Sequence, residues 1–249
     1  SARAPFPARI LGVGIATLDL INEVATYPEE DGEVRALAQR RSRGGNAANT
    51  LEVLAQLGHR CRWAGTLGDD AAADFICGEL RRAGVDPSPG LRVPGCPAPT
   101  SCIALSRATG SRTIIHHRGD LPELSSADFA AIPLAGLDWI HFEGRNPAAT
   151  AAMMARARRD APQARLSVEL EKDRPGIERL FDASAVAEGP DVLLVARAFV
   201  LARSGSQADP ARALAELARR SGARILVLAW GAAGAWLCVE GAEPRQVPA

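Results

Sequence analysis

Lysine is almost missing: Lys172 is the single one, and arginine carries the remaining positive charge. Lys+Arg and Asp+Glu both number 29, so the formal charge cancels. That balance speaks against nucleic acid as the main partner, because phosphate backbones select strongly basic surfaces. No Cys-x-x-C pair occurs among the five cysteines Cys61, Cys77, Cys96, Cys102 and Cys238. The spacing excludes a common metal site, and an odd count points to reduced thiols in a cytoplasmic protein. Cys102 and Cys238 are expected in the core. There is no apolar run of membrane-spanning length, and no charged segment leads into an apolar one, so neither a membrane nor a leader is expected. The third glycine of a dinucleotide fingerprint is also lacking: Gly12 and Gly14 are followed by Thr17 where it would stand, which argues against a dinucleotide cofactor. No Ser/Asp pair is arranged with His116, His117 or His141, so each is expected to be structural rather than a base.

What is present is a chain of 249 residues, 47% of them hydrophobic, enough for one large domain with a sizeable core. Its centre is Arg43-Gly44-Gly45-Asn46-Ala47-Ala48-Asn49. Adjacent glycines let the backbone turn sharply and come close to a ligand. A helix opening there puts Asn46 and Asn49 near one face of its first turn. Side-chain amides both donate and accept, which suits vicinal hydroxyls. The plainer alternative is a Gly-Gly loop with Asn46 as N-cap. Thr50 to Gly58 continues as an amphipathic helix closed by glycine.

Ile10 to Ala16 reads as a buried strand, with residues 1–9 a loose tail. Asp19 then falls just beyond a strand end, where α/β sheets meet ligands, unless it is a simple turn or cap residue. Ile21 to Ser42 alternates apolar and polar residues around the acidic turn Tyr27–Gly32, a hairpin. Thr100–Leu105 and Ser111–His117 form a second one. Asp138–Gly144, Leu166–Leu170, Asp191–Val195 and Arg224–Ala229 read as strands, and Ala71–Ala83, Asp128–Ile132, Ala148–Arg159 and Gly176–Phe181 as helices. Asp209-Pro210 opens a further helix with an N-cap and a proline at its first turn. Gly231–Gly234 is a tight turn before the strand Ala235–Val239. This alternation predicts an α/β fold: a mostly parallel sheet flanked by helices on both faces, with the hairpins as a small β lid. Glu143 and Arg145 either face a site or pair with each other. Glu169 and Glu171 either line the upper end of the sheet or form a solvated face.

Seven stretches, in chain order, resemble the PfkB/ribokinase family of carbohydrate kinases, and within it the ketohexokinase (fructokinase) branch. They are Val13–Asp19, Tyr27–Arg35, Gly44–Asn49, Gly110–Ile114, His141–Asn146, Ser167–Lys172 and Ala229–Gly234. The resemblance covers residues 10–249 and implies a ribokinase-like domain, with lid hairpins at about 20–42 and 99–118. It implies ATP-dependent phosphorylation of a hydroxymethyl group on a ketohexose such as fructose. Asp19, Gly45, Asn46 and Asn49 match sugar-binding positions. Asp31 matches a lid residue that reaches the partner subunit's sugar, which implies a homodimer through the lid. Arg112 matches a residue near the ATP phosphates, and Gly231, Ala232, Ala233 and Gly234 match the turn against the nucleotide.

The sequence departs from the family's pattern in two places. The Gly-Ala-Gly-Asp motif, whose Asp serves as base, does not occur; the base is expected beyond Ala249, in a longer kinase of which this chain is a fragment inactive by itself. The alternatives are a non-catalytic sugar-binding or dimerising module, or a kinase of ribose or adenosine. The Asn-x-x-Glu magnesium motif is also missing, with Val195-Ala196-Arg197-Ala198 near its place. No protein metal ligand is therefore implied, and Mg²⁺ is expected to be held through ATP and water.

Overall fold

The computed structural model describes residues 6–249. The strands are β1 (Arg9–Val13), β2 (Thr17–Val24), β3 (Ala38–Gly44), β4 (Arg60–Ala64), β5 (Thr66–Leu67), β6 (Val85–Asp86), β7 (Leu91–Arg92) and β8 (Thr100–Ser106). They continue with β9 (Arg112–His117), β10 (Trp139–Glu143), β11 (Arg165–Leu170), β12 (Val192–Ala196), β13 (Ile225–Ala229), β14 (Ala235–Val239) and β15 (Arg245–Val247). The helices are α1 (Asn46–Gln56), α2 (Ala71–Arg82), α3 (Ser126–Ala130), α4 (Pro147–Asp160), α5 (Arg197–Ser204) and α6 (Pro210–Ser221).

A nine-stranded sheet runs in the order β15-β14-β13-β12-β11-β10-β1-β4-β6. Every pair from β6 to β13 is parallel, and only β13-β14 and β14-β15 are antiparallel. Parallel strands need cover on both faces, and the strand residues are apolar on both sides accordingly. On one face Leu11, Ile140, Phe142, Leu166, Val168, Leu193 and Leu226 pack under α3, α4 and α6. On the other Ile10, Cys61 and Trp63 pack under α1 and α2. This second layer stops short of β13 and β14, where Ile225 and Val239 keep 37% and 39% of their surface exposed.

A separate four-stranded sheet, β3-β2-β8-β9, stands beside the large one. It joins the two predicted hairpins through a parallel β2-β8 pairing. One of its faces rests on α2, with Leu18 and Leu20 in the second core and the Arg41 guanidinium 4.5 Å above the Phe75 ring.

Helix starts follow local chemistry. Asp70 Oδ1 accepts from Ala73 N at 2.9 Å and Asp209 Oδ1 from Arg212 N at 2.7 Å, satisfying first-turn donors. Among the described residues no helix is long and apolar enough to cross a membrane.

Several expectations change. Asn46 is not the N-cap of α1: Gly45 is, and Asn46 begins the helix. Asp19 does lie past the end of the buried strand β1, but it is no turn or cap residue: it sits within β2, because the chain passes straight from the large sheet into the small one. Cys102 is exposed: it shares the face of Leu20, but α2 packs on β2 and β3 of that sheet and leaves β8 outside its cover; Cys238 is buried, and all five thiols are free. Residues 1–5 of the predicted tail lie outside the described residues, while Ala8 is buried and Arg9 opens β1. Sequence reading missed α5, which follows β12 without an intervening loop, and the three-residue β15.

Candidate functional site

The carboxyl ends of parallel strands collect the ends of the loops that follow them, and ligands of α/β sheets are met there. In this chain α1 starts at that edge because Gly45 permits the turn. Its φ is 105°, and a Cβ there would stand 2.1 Å from the Ile15 carbonyl oxygen. Beside it, the Asp19 carboxylate lies so close to Gly44 that a Cβ on that residue would meet Oδ2 at 2.4 Å. Asp19 Oδ1 accepts from Thr17 Oγ1 at 2.9 Å.

The two amides on the first turn of α1 are spent in opposite senses. Asn46 donates Nδ2–H to Glu169 Oε1 at 3.0 Å, which leaves its carbonyl oxygen unspent. Asn49 accepts on Oδ1 from Arg43 at 3.0 Å, which leaves its NH2 unspent. Arg43 is buried and also pairs with Glu52, one turn beyond Asn49. The neighbouring amides thus offer one acceptor and one donor, with rotation of each blocked by a charged partner. Both line a cavity of about 390 Å³ together with Thr50, Glu169, Val195, Ala196 and Ala229.

Carboxylates gather at the ends of β10 and β11. Glu143 is buried, accepts from Ile15 N at 2.9 Å and lies 3.6 Å from the Arg145 guanidinium. The pairing alternative holds: Glu143 and Arg145 face each other, and both line a small cavity separate from the one at Asn46 and Asn49. Arg145 also forks onto Glu123 at 2.8 and 3.0 Å. Burial pushes the Glu169 carboxyl up to about 7, with the nearby Glu143 and Glu171 charges adding to the effect. Glu143 is raised as well, chiefly by burial. His141 is pushed down to about 4 by burial, so its imidazole is neutral.

The small sheet contributes Asp19, Ser101 and His116 as partners across β2, β8 and β9, hence on one face. His116 Nδ1 is 3.2 Å from Ser101 Oγ. Burial first, then Arg145, Lys172 and Arg118, lower its pKa, while Asp19 opposes them.

Asn46 and Asn49 line one cavity, Gly45 forms the turn into their helix, and Asp19 stands against Gly44 just before that turn without lining the cavity. Gly231, Ala232, Ala233 and Gly234 follow β13 on the same edge, two strands beyond β11 and roughly 10 Å along it. Arg112 and Asp31 are not brought to this cluster. Arg112 shares the Asp19 face of the small sheet but lies four residues past His116, about 13 Å along the strand. Asp31, with φ 62°, is exposed in the loop between β2 and β3, at the far end of that sheet. Sequence reading gave no role to Arg43. The Asn49/Glu52 spacing of three, which puts both on one helix face, was its available signal. No local spacing links Glu169 to Asn46, which are 123 residues apart.

A family model described as pfkB family carbohydrate kinase matches residues 8–249. The ketohexokinase of Mus musculus is 42% identical over 184 residues, which are 72% of this chain and 62% of that protein. The chain thus spans less than two thirds of that relative's length. Among solved structures, the ribokinase of Giardia lamblia matches with TM-score 0.78 at 16% identity, covering 97% of this chain and 76% of that one. The Arabidopsis thaliana ribokinase complexed with ribose and ATP gives TM-score 0.73 at 18% identity, covering 97% and 78%. The adenosine kinase of Sinorhizobium meliloti gives 0.72 at 23%, covering 98% and 80%. The fold is ribokinase-like, as the alternation of strands and helices predicts. The chain belongs to the pfkB family of carbohydrate kinases.

Proposed function

We propose that the protein to which this chain belongs transfers the γ-phosphoryl group of ATP to a hydroxymethyl group of a ketohexose such as fructose. The observation that carries this reading is the pairing of Asn46 and Asn49, one amide held as acceptor and the other as donor, beside the Asp19 carboxylate. An acceptor, a donor and a carboxylate fixed before binding match a run of vicinal hydroxyls, and their fixing removes ordering cost on binding. The kinship to a ketohexokinase favours the ketose.

In this reading Asp19, Gly45, Asn46 and Asn49 hold the polyol, with Asp31 reaching the sugar of the partner in a homodimer clasped through the lid. The nucleotide lies over β12 and β13 against Gly231–Gly234, with Arg112 toward its phosphates. ATP supplies the phosphoryl group, and Mg²⁺ rides on its phosphates and water. The location is cytoplasmic. The test is ADP release by the full-length gene product with fructose, ribose and adenosine as acceptors. Fructose-dependent turnover is expected. No turnover on any ketose, pentose or nucleoside overturns the reading, and a preference for ribose or adenosine replaces the substrate.

A further inference from the structure

A buried polar chain ends on the Asn46 amide, and nothing in phosphoryl transfer accounts for it. Trp139 Nε1–H donates to Ser167 Oγ at 2.8 Å. Ser167 Oγ in turn lies 2.9 Å from His141 Nδ1. The other ring nitrogen, Nε2, has no hydrogen-bond partner, though His141 is only 2% exposed. It points at Glu169 Oε2 across 3.9 Å, about 1 Å beyond hydrogen-bond distance. The second oxygen of the same carboxyl, Oε1, accepts from Asn46. A buried polar atom without a partner is costly, and this one is aimed at the group that orients a polyol-facing amide.

We propose that the Ser167–His141 pair is a positioning device that occupies Glu169 Oε2 in either protonation state, so that Oε1 stays an acceptor and Asn46 always turns its carbonyl oxygen to the polyol. When Glu169 is ionised, Ser167 donates to Nδ1 and the Nε2–H faces Oε2. When Glu169 takes up a proton, the proton sits on Oε2 and faces the Nε2 lone pair. The imidazole then changes tautomer, and Nδ1–H donates to Ser167 Oγ. That oxygen has two lone pairs, so it accepts from Trp139 and His141 together. No charge moves into the core in either state, because the ring stays neutral. The need is real at working pH, since burial places the Glu169 carboxyl near neutrality. The groups facing Glu169 are His141 and Glu143 from β10, Asn46 from α1, and Glu171 just past its own strand. Arg145 neighbours Glu143, and Lys172 neighbours Glu171. Among these, His141 alone can change between donor and acceptor by a shift of tautomer, without turning its side chain.

The inference rests on the polyol reading, and its test separates the two. The side-chain amide signals of Asn46 in the ¹⁵N-labelled free chain are followed from pH 6 to 8. In the wild type they move only slightly, as the charge on the Glu169 carboxyl changes while Nδ2–H stays bonded to Oε1. In His141→Phe, which keeps the ring volume and loses both nitrogens, they move much further, with a midpoint near that of Glu169, as the amide turns. In the His141→Phe/Glu169→Gln double variant they are flat. Calorimetry with fructose adds the consequence. Wild-type affinity changes by less than about twofold over that range, whereas His141→Phe loses about tenfold at pH 6 relative to pH 8, the size of one hydrogen bond. Ser167→Ala, which keeps the imidazole but frees it, gives an intermediate pH dependence if His141→Phe does not fold, and Ser167→Thr restores the flat profile. Amide shifts no larger than those of the wild type in both His141→Phe and Ser167→Ala overturn the proposal. Absence of fructose, ribose and adenosine binding to the wild type overturns the polyol reading instead, and the amide titration still decides the role of His141.

Discussion

The two ends of the carboxyl edge are built differently. Over β1, β10 and β11, the polar groups other than His141 Nε2 are tied to partners: Arg43 with Asn49 and Glu52, Asn46 with Glu169, Glu143 with Ile15 N and Arg145. Close backbone approach fixes their places, as at Gly45. Over β12 and β13 the lining is Leu194, Val195, Ala196, Val227 and Ala229, and the turn that follows is exposed. One end is rigid and charged; the other is an apolar shelf with mobile-sized side chains and free space. A ligand of the first kind of surface is selected by directional bonds set in advance, and a ligand of the second by a flat apolar fit and backbone contacts. In the reading proposed above, the first end discriminates among polyols, and the second accepts a purine common to many enzymes.

The largest expected effect is at the centre of the rigid end. Gly45→Ala puts a Cβ against the Ile15 carbonyl oxygen, at a φ of 105° that L side chains rarely adopt. We expect a loss of about 3 kcal/mol or more in thermal or urea unfolding, and no measurable polyol binding. A loss below about 1 kcal/mol would show that the turn relaxes, and with it the claim of rigidity would fall.

Next comes Arg43→Ala. It removes a buried guanidinium, leaving Asn49 Oδ1 without its donor and Glu52 without its ion pair. Glu52 is 38% exposed and can rehydrate, so the cost is set mainly by lost packing and the Asn49 acceptor. We expect about 2 kcal/mol in unfolding free energy, and a several-fold drop in polyol affinity as the Asn49 amide becomes free to rotate. Unchanged affinity would mean that the donor sense of Asn49 is not what the ligand reads.

The rigid end also carries a pH signature that the apolar shelf lacks. Folding raises the Glu169 pKa from 4.5 to about 7, so the native state holds that proton more tightly than the unfolded chain. Stability from this group is present in full below 4.5 and is lost as pH rises through about 7. His141 works in the opposite direction. Its pKa falls from 6.5 to about 4, so its contribution is present above 6.5 and is lost as pH falls through about 4. Glu169→Gln, which keeps an acceptor for Asn46, should therefore match the wild type near pH 4.5 and exceed it by roughly 1 to 2 kcal/mol at pH 8. Chemical unfolding at the two pH values measures this. A difference independent of pH would remove Glu169 as the source.

How far this contrast could be read from the chain depends on the range of the interactions. The large sheet was legible because strands such as Leu226–Leu228 are apolar runs and helices such as α6 carry local caps at Asp209. The Asn46/Asn49 pair was legible because helical spacing alone puts both on one face. What orients the amides was not, since Glu169 reaches Asn46 from a strand 123 residues away and its neighbour Val168 gives only an alternating pattern. The missed α5 begins directly at Arg197 with Ala196 as N-cap, where no side chain signals a start. Cys102 was misplaced because how far α2 reaches across the small sheet, over β2 and β3 but not β8, is set by tertiary packing and leaves no mark on the local pattern.

The smallest expected effect tests the open end. Gly231 has φ 61°, close to the left-handed helical region, and a Cβ there meets nothing within 4 Å. Alanine in that conformation costs about 1 to 2 kcal/mol. The same substitution narrows the unfolded ensemble and returns about 0.4 to 1 kcal/mol. The net change in Gly231→Ala is therefore between about 0 and 1.6 kcal/mol, a shift in Tm of a few degrees at most for a chain of this size. A nucleotide seated against this backbone would feel the added methyl directly, because its own surface fills the space that is otherwise free. ADP affinity measured by calorimetry should then drop more than stability does, while fructose affinity stays as in the wild type. A stability loss as large as that of Gly45→Ala would make the two ends equally rigid. Equal losses of ADP and fructose binding would mean that they are one surface rather than two.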